Sequence, residues 1–103
     1  MKFIDLTQIN KFTPDKPFRE LLYDSANLRV LAFNFEAGQE MPVHSHPADS
    51  DVTLMILEGE GEFTGANEMS ARAGAMQIMP VGEPHGLKAH TRLRLLVFIA
   101  PTL

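Results

Sequence analysis

The apolar residues of this chain occur in short runs separated by glycine, proline and other turn-forming residues. The runs are PFRELLY, LRVLAFNF, VTLMIL, GEF, AMQIM and LRLLVFIA. No helical period persists for more than two turns. Short apolar segments bounded by turn residues are typical of an all-β sandwich or barrel. The hydrophobic pattern therefore predicts an all-β fold.

The individual runs also indicate how many faces of each strand are covered. In LRVLAFNF, alternation places Leu31, Phe33 and Phe35 on one face and Leu28, Val30 and Ala32 on the other. VTLMIL and LLVFIA are apolar almost throughout, which indicates strands covered on both faces. A closed barrel or two packed sheets would provide that cover, whereas a single flat sheet would not.

Length and composition narrow the class of protein. The chain has 103 residues, so we expect a single domain over residues 1–103, and its 45% hydrophobic and 21% charged residues are ordinary for a globular protein. A net charge of −4 without any basic run argues against nucleic acid as a partner. The chain has no signal-peptide pattern and no apolar run long enough to cross a membrane, so a cytoplasmic location without a membrane partner is expected.

The stretch VHSHPADSD contains two of the four histidines, His44 and His46, one residue apart. In a strand, residues i and i+2 point to the same side, so the two rings would lie side by side. Because imidazole is mostly neutral near pH 7, both rings could bind a metal ion. The chain has no cysteine, so any metal site must use nitrogen and oxygen donors. Such a pair by itself is more often a solvated or hydrogen-bonded pair than a ligand set.

A third histidine occurs in a comparable setting. In GAMQIMPVGEPHG a strand-like run ends in a Pro-x-Gly turn, and His85 then opens the next strand. An imidazole that enters from a separate strand would complete a three-ligand face, which two neighbouring ligands cannot do. His90 lies five residues later, an odd offset that predicts a surface position.

These residues match two motifs with defined spacing. Gly38 is followed after five residues by His44-x-His46, and Gly59 closes the first motif. In the second motif, over residues 74–89, Gly74 is followed by a Pro-x-Gly turn and then by His85. With only 14 residues between the two motifs, the chain resembles the small single-domain bacterial members of the cupin superfamily.

The resemblance implies a fold, a cofactor and an assembly. The fold would be a jelly-roll-like β-barrel, also called a double-stranded β-helix, with a metal inside one end. The implied ligands are His44, His46 and His85, and the implied cofactor is a divalent transition metal such as Fe, Mn, Ni or Zn. Small cupins commonly pair, so the resemblance also implies a homodimer.

The chain departs from the family pattern at the glutamate that supplies the fourth ligand. Counting forward from His46 places that slot at Ser50 or Asp51, whereas counting back from Gly59 places it at Val52. Asp51 would face inward, as a possible fourth ligand, only if the strand bulged near its start. Otherwise the site is a neutral three-histidine face with open coordination positions. Ala89 also replaces the asparagine of the second motif.

Further residues are candidates for the pocket. Gln77 is the only polar side chain between Ala75 and Met79, and it faces either the pocket or solvent. Met55 and Met76 either fill gaps in the core, which is the usual role of methionine, or line a hydrophobic pocket. We take Gln77, Met55 and Met76 as candidate pocket residues.

The sequence leaves two classes of function open. The first is a divalent-metal-binding barrel that binds or acts on a small molecule; as an enzyme it would be a dioxygenase or an isomerase for a small carboxylate or thiol. The second is a metal-free module that binds or senses a small molecule without catalysis. Fold alone does not decide between them, because one fold supports many functions. Whether the protein is an enzyme stays open at this point.

Overall fold

The computed structural model describes all residues from 1 to 103 and consists of nine strands in two antiparallel sheets. In spatial order, the five-stranded sheet contains β1 (Phe18–Asp24), β2 (Arg29–Phe35), β9 (Leu93–Ala100), β4 (Asp51–Glu58) and β7 (Met76–Pro80). The four-stranded sheet contains β3 (Glu40–His44), β8 (His85–Ala89), β5 (Glu60–Gly65) and β6 (Met69–Arg72). One turn of 3-10 helix, Leu6–Gln8, precedes them. The predicted all-β barrel is confirmed. None of the helical residues forms a segment with the length and apolarity of a membrane span.

The core lies between the two sheets and is built by alternation along each strand. In β4, Val52, Leu54 and Ile56 are buried and face inward, while the residues between them are less buried. The main core cluster joins them to inward residues of the other strands, including Leu31, Phe35, Phe63, Leu87, Leu95, Val97 and Ile99. The period of two residues therefore decides which side chains can reach the interior.

Part of the outer face of the five-stranded sheet, over β2 and β9, is covered by the N-terminal segment. Ile9 packs there with Val30, Ala32 and Leu96 in a second buried cluster. This cover explains why β4 and β9 are apolar on both faces, since each strand packs against hydrophobic residues on both sides.

Two buried polar side chains attach this segment to the sheet. The Nδ2 group of Asn34 donates hydrogen bonds to the carbonyl oxygens of Ile9 and Lys11, each at 2.9 Å. Arg94 donates from Nη2 to the carbonyl of Leu6 and from Nη1 to the Glu58 carboxylate at 3.0 Å. A buried polar group without partners is costly, so these bonds fix where the segment runs.

An irregularity in β3 aims a histidine into the barrel. Met41 pairs with Leu87 and His44 pairs with His85, so three residue steps on β3 correspond to two on β8. Such a bulge re-aims the side chain that follows it. A Cβ atom at Gly86 would come within 2.8 Å of the Met41 carbonyl oxygen, so glycine is needed there for β3 to approach β8.

Candidate functional site

Three imidazole rings lie together at one end of the barrel. The ring centroid of His44 is 4.4 Å from that of His85 and 5.2 Å from that of His46. His85 is 2% exposed, whereas His44 and His46 are half-buried. We call the end of the barrel at which the three rings lie the open end. The two motifs, distant in sequence, therefore bring the three predicted ligands side by side.

Each ring is positioned by a different local structure. His44 ends β3 directly after the bulge, and His85 begins β8 opposite it. His46 lies beyond the end of β3, contrary to the expectation that one strand carries both rings. Its backbone N–H donates to the Val81 carbonyl at 3.0 Å, which attaches this loop to the segment that follows β7.

Hydrogen bonds to the backbone define which ring nitrogen is free. Nδ1 of His44 lies 2.9 Å from the carbonyl oxygen of Pro42, and Nδ1 of His85 lies 2.7 Å from that of Glu83. A carbonyl accepts only, so each Nδ1 carries the proton and donates it. The lone pair then resides on Nε2, which is the arrangement that backbone partners impose on metal-binding histidines.

The electrostatic environment favours the neutral form of His85. Burial of the ring lowers its pKa below the ordinary value of 6.5, and the hydrogen bond to the Glu83 carbonyl opposes that effect. The neighbouring rings of His44 and His46 lower the pKa further. The neutral ring is also the form that can donate a lone pair to a metal.

The three rings are close together, but their donor atoms are not assembled into a coordination group. No set of three or more His, Asp or Glu side chains is arranged to hold a metal ion without further movement of the side chains. The donor set itself, three nitrogen atoms of which two are oriented by backbone carbonyls, is compatible with a divalent transition metal. Metal ligation by these residues therefore stays a prediction.

The slot of the missing glutamate is occupied by a valine. Val52 is 2% exposed and lines the cavity beside the histidines. The pairing of β4 with β7 and β9 is regular from Asp51 to Met55, so no bulge turns Asp51 inward. Asp51 is exposed and faces outward. The structure therefore places Asp51 on the side of β4 away from the histidines and leaves the three-histidine face.

The three rings border a small cavity of about 210 Å³. Its walls are mainly aliphatic and aromatic: Leu31, Phe33, Met41, Val52, Leu54, Val81, Val97, Ile99 and Leu103. Two arginines, Arg19 and Arg29, complete the lining, which contains no aspartate or glutamate. An apolar cavity with a few convergent polar groups is the usual form of a small-molecule site.

The three candidate pocket residues chosen from the sequence do not line this cavity. Met55 and Met76 pair with each other across β4 and β7 on the outer face of the sheet, opposite to Val52 and Leu54. Gln77 pairs with Leu54 and its Oε1 atom is buried without a partner, but it lies outside the cavity lining. The methionines lie on the opposite face from the cavity because a shift of one residue along a strand reverses the side chain's direction.

Two residues that do line the cavity were not among the predicted site residues. Arg19 pairs with Phe33 across β1 and β2, and Arg29 pairs with Ile99 across β2 and β9, so both lie on the inner face. The alternation of LRVLAFNF could have placed Arg29 on the face of Leu31 and Phe33. His90, predicted to lie at the surface, is exposed and lies 3.3 Å from the Glu62 carboxylate.

Comparisons with known proteins agree with this architecture. The family model described as "Cupin domain" matches residues 31–99, which include both motifs. An RmlC-like cupin protein from Desulfovibrio desulfuricans is 39% identical and superimposes with a TM-score of 0.95, covering 100% of this chain and 99% of that one. A protein from Thermus thermophilus is 29% identical with a TM-score of 0.89, covering 98% of both chains.

An enzyme is also among the structural relatives. The DMSP lyase DddQ from Ruegeria pomeroyi is 26% identical with a TM-score of 0.75, covering 86% of this chain and 49% of the lyase. No functionally curated protein sequence matches the chain. The fold and the site define a small β-barrel protein with a histidine-lined cavity at one end. The chain belongs to the cupin superfamily.

Proposed function

We propose that this cupin binds a divalent transition metal through His44, His46 and His85 and uses the adjoining cavity to bind or act on a small molecule. The observation that carries the proposal is the convergence of the three rings, with centroids 4.4 and 5.2 Å from His44, at the border of an apolar cavity. Fe, Mn, Ni and Zn all suit a site of three imidazoles with open positions. The protein is proposed to work in the cytoplasm.

The residues of the chain would divide the work. The Pro42 and Glu83 carbonyls hold the His44 and His85 rings with Nε2 free. Val52 and Leu54 supply apolar wall beside the rings and no further donor atom. A metal held there would supply a positive charge that binds and polarises an anionic substrate group. As an enzyme, the protein would be an oxygenase or an isomerase for a small carboxylate or thiol.

A second function, metal-free binding or sensing of a small molecule, is favoured by one observation. The histidine donor atoms are not preassembled around a common point, and Val52 supplies no carboxylate. In this alternative the cavity and its polar rim would recognise the ligand directly, without catalysis.

Metal analysis separates the two functions. We expect near-stoichiometric metal in untagged protein, or saturation by added Fe, Mn, Ni or Zn in calorimetry. The double variant His44→Ala/His46→Ala should abolish that binding. His90→Ala is the matched control, because His90 is exposed and outside the cavity. A site that stays empty with all four metals would contradict metal binding and support the sensing function.

We also propose that two copies of the chain associate as a homodimer. Met76 and Ile78 are 54% and 65% exposed on the outer face of the edge strand β7. An apolar patch of this kind commonly marks a protein interface. Light scattering should report a dimer that Ile78→Glu converts to a monomer. Met69→Glu, at an exposed methionine of the other sheet, should leave the mass unchanged. A monomeric wild-type protein would contradict the proposal.

A further inference from the structure

The lining of the cavity carries positive side chains and no negative ones, whether or not a metal is bound. Its fourteen lining residues include Arg19 and Arg29 but no acidic side chain. Its remaining polar residues are the three histidines. A cleft lined by one sign of charge with apolar walls concentrates ligands of the opposite sign. The lining therefore favours an anionic ligand over a neutral or cationic one.

The strand register places Arg29 in the same sheet as the end of β4 that borders the histidines. Arg29 pairs with Ile99, and Ile99 pairs with Val52, so the three residues form one row across β2, β9 and β4. At about 4.8 Å per strand, the Arg29 and Val52 backbones are separated by about 10 Å. Val52 and the three histidines line the same cavity as Arg29, so a compact molecule could contact both the histidines and the arginine.

The two arginines differ in how free they are to bind a ligand. No carboxylate lies within ion-pair distance of Arg19, and its guanidinium carbon is 6.0 Å from the centre of the Phe33 ring. Arg29 is paired with Asp24 through contacts of 3.2 and 3.4 Å. Both side chains of that pair are partly exposed, so the pair is weak and mainly orients the guanidinium group. Arg19 is thus the main hydrogen-bond donor to a bound anion, and Arg29 is the secondary one.

We propose that Arg19 and Arg29 form an anion-binding subsite at the cavity, and that the ligand is a small dicarboxylate. This inference rests on the proposed function, because the histidine end is taken to receive the first carboxylate. The planar guanidinium group matches the geometry of the second carboxylate. The volume of about 210 Å³ is below the usual range of ligand pockets, which limits the ligand to a few carbon atoms between the two acidic groups.

The test compares two probes of equal length that differ by one charge. Succinate and succinamate, in which an amide replaces one carboxylate, are titrated calorimetrically at low salt into protein that is either metal-free or loaded with zinc. Wild-type protein should prefer succinate by about tenfold or more, the effect of a charge-assisted hydrogen bond. Arg19→Gln/Arg29→Gln should reduce the preference to less than about twofold. Arg72→Gln, which removes one positive charge outside the cavity, should retain it.

Each outcome decides one proposal. Failure of wild-type protein to prefer succinate, failure to bind either probe, or a preference that survives in the double variant would overturn the dicarboxylate subsite. If zinc binds but any of these results is found, the metal-site proposal is retained and only the dicarboxylate subsite is rejected. If the protein binds no metal but prefers succinate in an arginine-dependent way, the subsite is supported and the metal-site proposal is rejected. Thermal melting of each variant confirms that it is folded.

Discussion

The two ends of this barrel use the same strands for different purposes. At the open end, the row of Arg29, Ile99 and Val52 borders a cavity with the three histidines. At the opposite end of β2, six residues after Arg29, Phe35 pairs with Leu93, and both side chains are 0% exposed. We call this second end the closed end. The closed end therefore contributes folding energy, whereas the open end keeps space and polar groups for a ligand.

The largest expected change in stability comes from removing a core side chain at the closed end. Phe35→Ala removes a fully buried ring and should lower the free energy of unfolding by about 3–5 kcal/mol. Denaturant titration measures the change. At the open end, His46→Ala removes a half-buried side chain and should alter stability by no more than about 1 kcal/mol. Equal losses at the two ends would contradict the division between them.

The next effect comes from restoring the missing carboxylate at the open end. Val52→Glu places an anionic oxygen in the inward slot beside the histidines and should tighten divalent-metal binding by about tenfold or more. It should also destabilise the metal-free protein by about 1–3 kcal/mol, because the carboxylate is buried without a partner. Calorimetry and denaturation measure the two effects.

Val52→Gln controls for size without charge. The glutamine variant should lose stability without a comparable gain in metal affinity. If Val52→Glu gained no affinity relative to Val52→Gln, the slot would not face a metal.

A smaller effect is expected from pH. The pKa of His85 is lowered in the folded protein, mainly by burial, so below pH 6.5 the unfolded chain binds more protons at this residue than the folded one. Above about pH 6.5, His85 should not make the free energy of unfolding of the metal-free protein depend on pH. That free energy should fall as the pH drops from there toward the folded-state pKa.

Denaturation at pH 7.5, 6.5 and 5.5 (on the order of one unit apart, chosen to bracket the unperturbed histidine pKa) measures this dependence. His85→Gln should flatten the slope, whereas His90→Gln, at an exposed histidine, should keep it. An unchanged slope in His85→Gln would show that other groups cause the dependence.

The smallest effect concerns a residue outside the cavity. The buried Oε1 atom of Gln77 has no hydrogen-bond partner, so Gln77→Met should leave stability unchanged or raise it by up to about 1 kcal/mol. Succinate binding should be unaffected, since Gln77 does not line the cavity. A clear loss of binding in this variant would place Gln77 in the site after all.

How far the sequence could predict the molecule depends on the range of the interactions involved. The strand pattern and the two motifs were sufficient for the barrel, and counting back from Gly59 identified Val52 as one of the residues that could occupy the empty slot. These features follow from local spacing, which the chain carries within each motif. Asp51 could be assigned only when the pairing of β4 with β7 and β9 showed a regular register.

The remaining features depend on which strands become neighbours. Arg19 reaches the cavity because β1 pairs with β2, far from either motif in sequence. Met55 and Met76 face outward because their pairing puts them on the side opposite Val52 and Leu54. Composition and spacing do not contain this information, since it arises from contacts between distant parts of the chain.

The irregularity between Met41 and His44 gives this scaffold room for evolutionary change. It lies on an edge strand, so one neighbour alone must adapt when a residue is inserted or deleted there. Each such change would exchange the side chain presented to the interior for the next one in the sequence. Insertion or deletion of one residue at this bulge could therefore replace one donor side chain by another during evolution. The tightly packed far end of the molecule would stay the same.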